Sequence, residues 1–205
     1  MIEFFRRAPG SPRRLGILPG TFNPPTRAHV ALAQAAMAQV DEVLFVLPRE
    51  FPHKIYEAAS FDERIQMLQL AAADFSIAST GGGLFIEIAR ECQDAYGDAA
   101  LSFLCGRDAA ERIVNWNYGD PGAFAAMLDV FDLRVASRGG DYVPPRQLAS
   151  SIHPLPMPPD YDEVSATDVR RRIARGEPWE HLVPPAVIPL AQRIWGQATQ
   201  HPLPL

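Results

Sequence analysis

The sequence predicts an α/β protein whose doubly wound parallel sheet carries helices on both faces. Three observations lead there. Short apolar runs alternate with stretches of helical periodicity along most of the chain, the pattern of repeated βαβ units. One run, Ala100 to Cys105, is apolar at every position but Ser102, as expected of a parallel strand covered on both faces. The chain of 205 residues is also long enough to bury about 70% of its unfolded surface in one core.

The first strand is Leu15 to Leu18, ended by Pro19-Gly20. Asn23 is the expected cap of the first helix, with Pro24 and Pro25 at its first positions, where a missing N–H costs least. Val30, Ala33, Met37 and Val40 give that helix an apolar face. Thr26 and His29 lie three apart in its first turn, on one side. A glycine turn, a helix N-terminus, a hydroxyl and an imidazole thus converge on a spot suited to phosphate.

Glu42 to Leu47 is the second strand, closed by Pro48, and a loop runs through Pro52-His53-Lys54. Ser60 and Glu63 form a capping box for a helix bearing Ile65, Leu68 and Ala72. Phe75 to Ala78 is a third strand, and Gly81-Gly82-Gly83 leads into a helix over Leu84 to Tyr96. After the fourth strand come helices at Asp108 to Asn115 and Pro121 to Leu128, then a fifth strand at Leu133 to Ala136. The proline-rich stretch from Pro144 to Pro159 is irregular apart from a short strand at Ser151 to His153, and helices at Ser165 to Arg175 and Pro185 to Trp195 complete the chain. Ligands are expected at the carboxyl ends of the strands.

Bulk properties narrow the function. A net charge of −5 argues against a nucleic-acid partner, since backbone binding needs a basic face and only Arg170, Arg171, Arg172 and Arg175 cluster. Cys92 and Cys105 lack metal or redox spacing, which makes a reduced, cytoplasmic protein the default. No apolar run approaches the ~20 residues of a membrane span, and the first residues lack the apolar segment of a secretory signal. Residues 1–12 are expected to be a mobile N-terminal tail, and residues 13–205 a single domain. The turn after the first strand lacks Gly-x-Gly-x-x-Gly, which disfavours an NAD-dependent oxidoreductase, and no Walker-type Gly-x-x-x-x-Gly-Lys occurs.

Gly20-Thr21-Phe22-Asn23-Pro24-Pro25-Thr26-Arg27-Ala28-His29 resembles the first signature of the nucleotidylyltransferase superfamily, a glycine turn followed by Phe-Asp/Asn-Pro and His-x-Gly-His. Ser165-Ala166-Thr167-Asp168-Val169-Arg170 is similar to its second, Ser-x-Thr-x-x-Arg at a helix start. Over roughly residues 13 to 200 the likeness is closest to nicotinate- or nicotinamide-nucleotide adenylyltransferases. The resemblance implies a Rossmann-like fold and transfer of AMP from Mg²⁺-ATP to a pyridine mononucleotide, with release of pyrophosphate, in NAD biosynthesis. An attacking phosphate oxygen needs no base; the site must align two anions and stabilise charge on the α-phosphate.

By resemblance, Gly20, Thr21, Phe22 and Asn23 hold phosphate, and His29 donates to the α-phosphate with Thr26 beside it. Ser165 and Thr167 hold the β- and γ-phosphates, and Arg170 neutralises the departing pyrophosphate, for which its forked donors suit it. Ser165 and Asp168 also have capping-box spacing. Lys54 reaches phosphate and His53 the acceptor. Gly106 and Asp108 match a Gly-x-Asp in which the carboxylate caps the next helix, binds a ribose hydroxyl, or does both. Trp116 stacks on the pyridine ring and Arg138 contacts the mononucleotide phosphate. No residue is assigned as a metal ligand.

Three departures stand out. Thr26 replaces a histidine usual in nicotinate enzymes, although phosphopantetheine adenylyltransferases of the same superfamily use threonine there. Losing one such donor costs about 3–4 kcal/mol of transition-state stabilisation. Ala28 replaces a glycine. The glycine run at Gly81 to Gly83 replaces a Ser-Tyr-Thr segment that reads the pyridine substituent; it either presents N–H groups to an anion or reshapes the pocket for another acceptor. Three readings remain: a pyridine-mononucleotide adenylyltransferase, a nucleotidylyltransferase with another nucleotide or acceptor, and a nucleotide-binding protein without turnover.

Overall fold

The computed structural model describes residues 1–50, 59–119, 122–136 and 142–196. Seven strands, β1 (Glu3–Arg6), β2 (Arg14–Pro19), β3 (Glu42–Val46), β4 (Ser76–Ser79), β5 (Ala100–Gly106), β6 (Phe131–Ala136) and β7 (Ile152–Leu155), form one sheet in the order β1-β4-β3-β2-β5-β6-β7. All neighbours from β4 to β7 pair in parallel, and β1 is antiparallel to β4. The order reverses between β2 and β5, so the crevice at their carboxyl ends is the expected place for a ligand.

The helices are α1 (Arg27–Ala36), α2 (Phe61–Ala71), α3 (Phe85–Tyr96), α4 (Arg107–Val114), α5 (Ala123–Met127), α6 (Ala166–Arg175) and α7 (Ile188–Trp195). Along β2 the side chains alternate as a strand requires. Leu15 and Ile17 join Ile88, Cys92, Ala110 and Phe124 beneath α3, α4 and α5. Leu18 joins Leu32, Ala36, Ile65 and Leu68 beneath α1 and α2 on the other face. A third cluster packs Met67 of α2 against Val169, Ile173, Leu190 and Trp195, fastening α6 and α7 to the domain. The doubly wound sheet expected from the sequence is thus the sheet observed.

Two local expectations need correction. Residues 1–12 are not a tail throughout, because Glu3–Arg6 pairs with β4 at the sheet edge. The Arg6 guanidinium also donates to the Gln69, Ala72 and Phe75 carbonyls at 3.1, 2.6 and 3.4 Å, tying the edge strand to the end of α2 and the loop that follows it. The cap of α1 is Thr26, not Asn23, and both prolines precede it. The capping box of α2 forms as expected: Ser60 Oγ accepts from the Glu63 N–H at 3.2 Å and the Glu63 carboxylate accepts from the Ser60 N–H at 2.9 Å. Both cysteines are buried and neither forms a disulfide. Burial pushes each thiol up to about 12, with the Glu91 charge adding to the effect at Cys92. Among the described residues no helix is long and apolar enough to cross a membrane.

Candidate active site

The turn after β2 is shaped by one ring. Phe22 has φ +47°, a conformation uncommon for a bulky residue and found mainly where surrounding structure holds it. Its ring is buried between Phe45 and His29, with centroids 5.6 and 5.3 Å away. A Cβ on Gly20 would lie 2.9 Å from that ring, so only glycine lets Phe22 fold back beneath the turn. The Gly20 N–H donates to the Val46 carbonyl at 3.0 Å, fixing the turn to β3.

Thr26 is fully buried and opens α1. Its backbone N–H donates to His29 Nδ1 at 2.9 Å, and its Oγ1 lies 2.8 Å from the same nitrogen. A nitrogen that accepts a backbone N–H carries no proton, so the neutral imidazole holds its proton on Nε2. The Thr26 backbone N–H therefore closes the first turn and fixes the tautomer, and the threonine hydroxyl adds a second contact that orients the ring.

The two signature segments meet. Arg170 Nη1 donates to the Asn23 carbonyl at 2.6 Å, bridging α6 to the turn after β2. Asn23 is buried, and its Oδ1 has no hydrogen-bond partner among the described residues. Arg64, only 3% exposed, reaches the same turn, with Nη1 3.5 Å from the Thr21 carbonyl and Nε 3.4 Å from that of Ser60. Sequence reasoning missed Arg64. The signal was present, since it lies one before Ile65 and four before Leu68 on the inward side of α2, where an arginine demands an explanation.

At α6, Ser165 Oγ accepts from the Asp168 N–H at 3.1 Å. The reciprocal half of the box does not form, because the Asp168 carboxylate turns to Arg171 and, at 2.7 Å, to Arg172. Those hydrogen bonds and charges, Arg172 foremost, hold the Asp168 carboxyl below the usual range. Ser165 and Thr167 open onto a cleft of about 700 Å³ that also touches Arg27 and His181. At the neighbouring strand end Gly106, not Asp108, caps α4. Asp108 sits exposed in the first turn, where a carboxylate favours the helix dipole and remains accessible to a ribose.

A cytidylyltransferase-like family model matches residues 17–172, spanning both signatures. The chain belongs to this family. A probable nicotinate-nucleotide adenylyltransferase of Chromobacterium violaceum is 30% identical, covering 88% of this chain and 96% of its own. Its counterpart in Exiguobacterium sibiricum is 29% identical over 85% of this chain and 93% of that one. Among solved structures, the Plasmodium falciparum nicotinic acid mononucleotide adenylyltransferase complexed with NaAD superposes with TM-score 0.68 at 15% identity, over 88% of this chain and 95% of that one. A Vibrio parahaemolyticus structure described as a putative nicotinate-nucleotide adenylyltransferase gives 0.62 at 13%, over 90% and 96%. By these relationships the protein is a transferase on a Rossmann-like scaffold.

Within this cytidylyltransferase-like frame the glycine run departs from expectation. Its N–H groups do not wait for an external anion: those of Gly81 and Gly82 donate to Glu91 Oε1 at 3.0 and 3.4 Å. Glu91 Oε2 in turn lies 3.1 Å from the Met1 ammonium. A side chain on Gly82 would collide with the Glu87 carboxylate, so the run accommodates two glutamates of α3. Gly83 follows in the same turn, beyond the amides that Glu91 takes. Trp116 is 52% exposed just beyond α4, which removes the core as its place. His53, Lys54 and Arg138 lie outside the described residues.

Proposed function

We propose that the protein transfers the AMP group of ATP to nicotinate mononucleotide, the last nucleotidyl step toward a pyridine dinucleotide. The observation that carries this reading is the Thr26–His29 pair at the β2 terminus, tied through Asn23 to Arg170 of the second signature. An acceptor phosphate oxygen attacks the α-phosphorus, the bond to the α–β bridging oxygen breaks, and pyrophosphate leaves with the electron pair. His29 Nε2–H donates to an α-phosphate oxygen as charge builds there, and the turn from Gly20 to Asn23 frames the phosphates. Ser165, Thr167 and the α6 N-terminus receive the β- and γ-phosphates. Asp108 takes a ribose hydroxyl and Trp116 the pyridine face.

The groups assembled around the turn are hydroxyls, an imidazole, guanidinium groups and backbone N–H, a donor set that fits a polyphosphate. Among the described residues no three His, Cys, Asp or Glu side chains gather to hold a metal ion. In this reading Mg²⁺ arrives on the triphosphate oxygens and offsets their charge. A second reading keeps the chemistry and changes the acceptor, and the observation in its favour is Glu91 on the glycine amides, where an acidic ring would seek donors. Relatives bearing the nicotinate name at 30% identity favour the first.

The test is pyrophosphate release with Mg²⁺, ATP or CTP, and a panel of nicotinate mononucleotide, nicotinamide mononucleotide and phosphopantetheine. The expected outcome is turnover dependent on ATP and nicotinate mononucleotide, lowered about 10²–10³-fold in His29→Ala. Turnover with another acceptor selects the second reading. ATP binding without turnover on any acceptor overturns both.

A further inference from the structure

The cleft at the α6 N-terminus is walled by the first residue of α1 as well as by the second signature. Three arginines line it: Arg27, Arg171 and Arg172. Two are committed, because the Asp168 carboxylate pairs with both Arg171 and Arg172. Arg27 is exposed and, among the described residues, has no hydrogen bond or ion pair. It follows Thr26 directly and precedes His29 by two, so it starts from the same helical turn as the imidazole. That turn faces the protein interior through Thr26 and Ala28, both buried, and Arg27 between them is exposed on the cleft.

We infer that Arg27 is a polyphosphate-binding residue that holds the β- and γ-phosphates, and then the pyrophosphate product, against Ser165 and Thr167. The inference rests on the proposed nucleotidyl transfer and adds Arg27 to the set expected at the polyphosphate, in which Arg170 neutralises the departing pyrophosphate. Arg170 is engaged in bridging α6 to Asn23, which makes it the strut of the site. Arg27 supplies a forked donor from the opposite wall, where it reaches two phosphate oxygens at once. Asp160 and Glu163 on the same cleft disfavour a bare polyanion and suit a polyphosphate already carrying a divalent cation.

Calorimetric titration of the full-length protein with ATP, pyrophosphate and AMP, each with Mg²⁺, tests this on wild type, Arg27→Gln and Arg27→Lys. Arg27→Gln is expected to weaken ATP and pyrophosphate by about tenfold, the worth of one charge-assisted hydrogen bond, and to leave AMP unchanged. Arg27→Lys is expected to recover part of the loss. Equal binding of ATP by wild type and Arg27→Gln overturns the inference while leaving the proposed transfer intact. Equal loss of AMP and ATP also overturns it, by moving Arg27 to the nucleoside end. A wild type that binds no ATP overturns the proposed transfer, and this inference with it.

Discussion

His29 owes its chemical character to one backbone N–H, the donor from Thr26 that keeps the proton on Nε2. The neighbouring hydroxyl adds a second hold on the same nitrogen. Thr26→Ser, which retains both contacts, is expected to keep activity, whereas Thr26→Val is expected to lower kcat about tenfold, the worth of one hydrogen bond, with KM for ATP little changed. Steady-state pyrophosphate release measures both, and an equal rise in KM with unchanged kcat would assign Thr26 to substrate binding. The residue types and their spacing were legible in the sequence because a helical turn brings positions three apart together. The tautomer was not, since it depends on the extended backbone at Thr26, which aims its N–H at His29 Nδ1. Arg64 was legible as an arginine on the inward side of α2, but its target was not, because the Thr21 carbonyl lies 43 positions away.

At the scale of elements, β1 makes the edge of the sheet and finishes α2 at the same time. Arg6→Ala is expected to destabilise the protein by about 1 kcal/mol, the net worth of hydrogen bonds to partly buried carbonyls, read as a lower urea midpoint with unchanged slope. No change in midpoint would return residues 1–12 to the status of a tail. The parallel strands were readable because burial on both faces leaves near-continuous apolar runs such as Leu101 to Cys105, broken only by Ser102. β1 was not, because Glu3-Phe4-Phe5-Arg6 has charged ends and its pairing with Ser79 and Ala78 is entirely non-local. The glycine run failed in the same way. Its composition announced available N–H groups, but Glu91 comes from the middle of α3, and no local pattern couples the two.

The whole molecule is one sheet, covered on both faces, whose order reverses between β2 and β5. Its charged periphery makes it acid-sensitive in a definite direction. Arg14 holds the Asp41 carboxyl below its ordinary 3.8, mainly through their hydrogen bond, and Arg172 and Arg171 do so for Asp168. Depressed carboxyls contribute stability that is fully present above the ordinary value and lost as pH falls through the folded one. Chemical-denaturation midpoints are therefore expected to be level above about pH 5 and to fall below about pH 4, less steeply in Asp41→Asn; an identical profile in that variant would refute the assignment. The interior carries a different consequence. With both native thiols buried and pushed up to about 12, the folded protein is expected to give no colour with a disulfide exchange reagent at pH 8 until denaturant is added. For maleimide chemistry the chain is then a blank background. A dye coupled to Glu163→Cys, on the wall of the α6 cleft, becomes the single reporter in the molecule, and its emission follows filling and emptying of that cleft in real time.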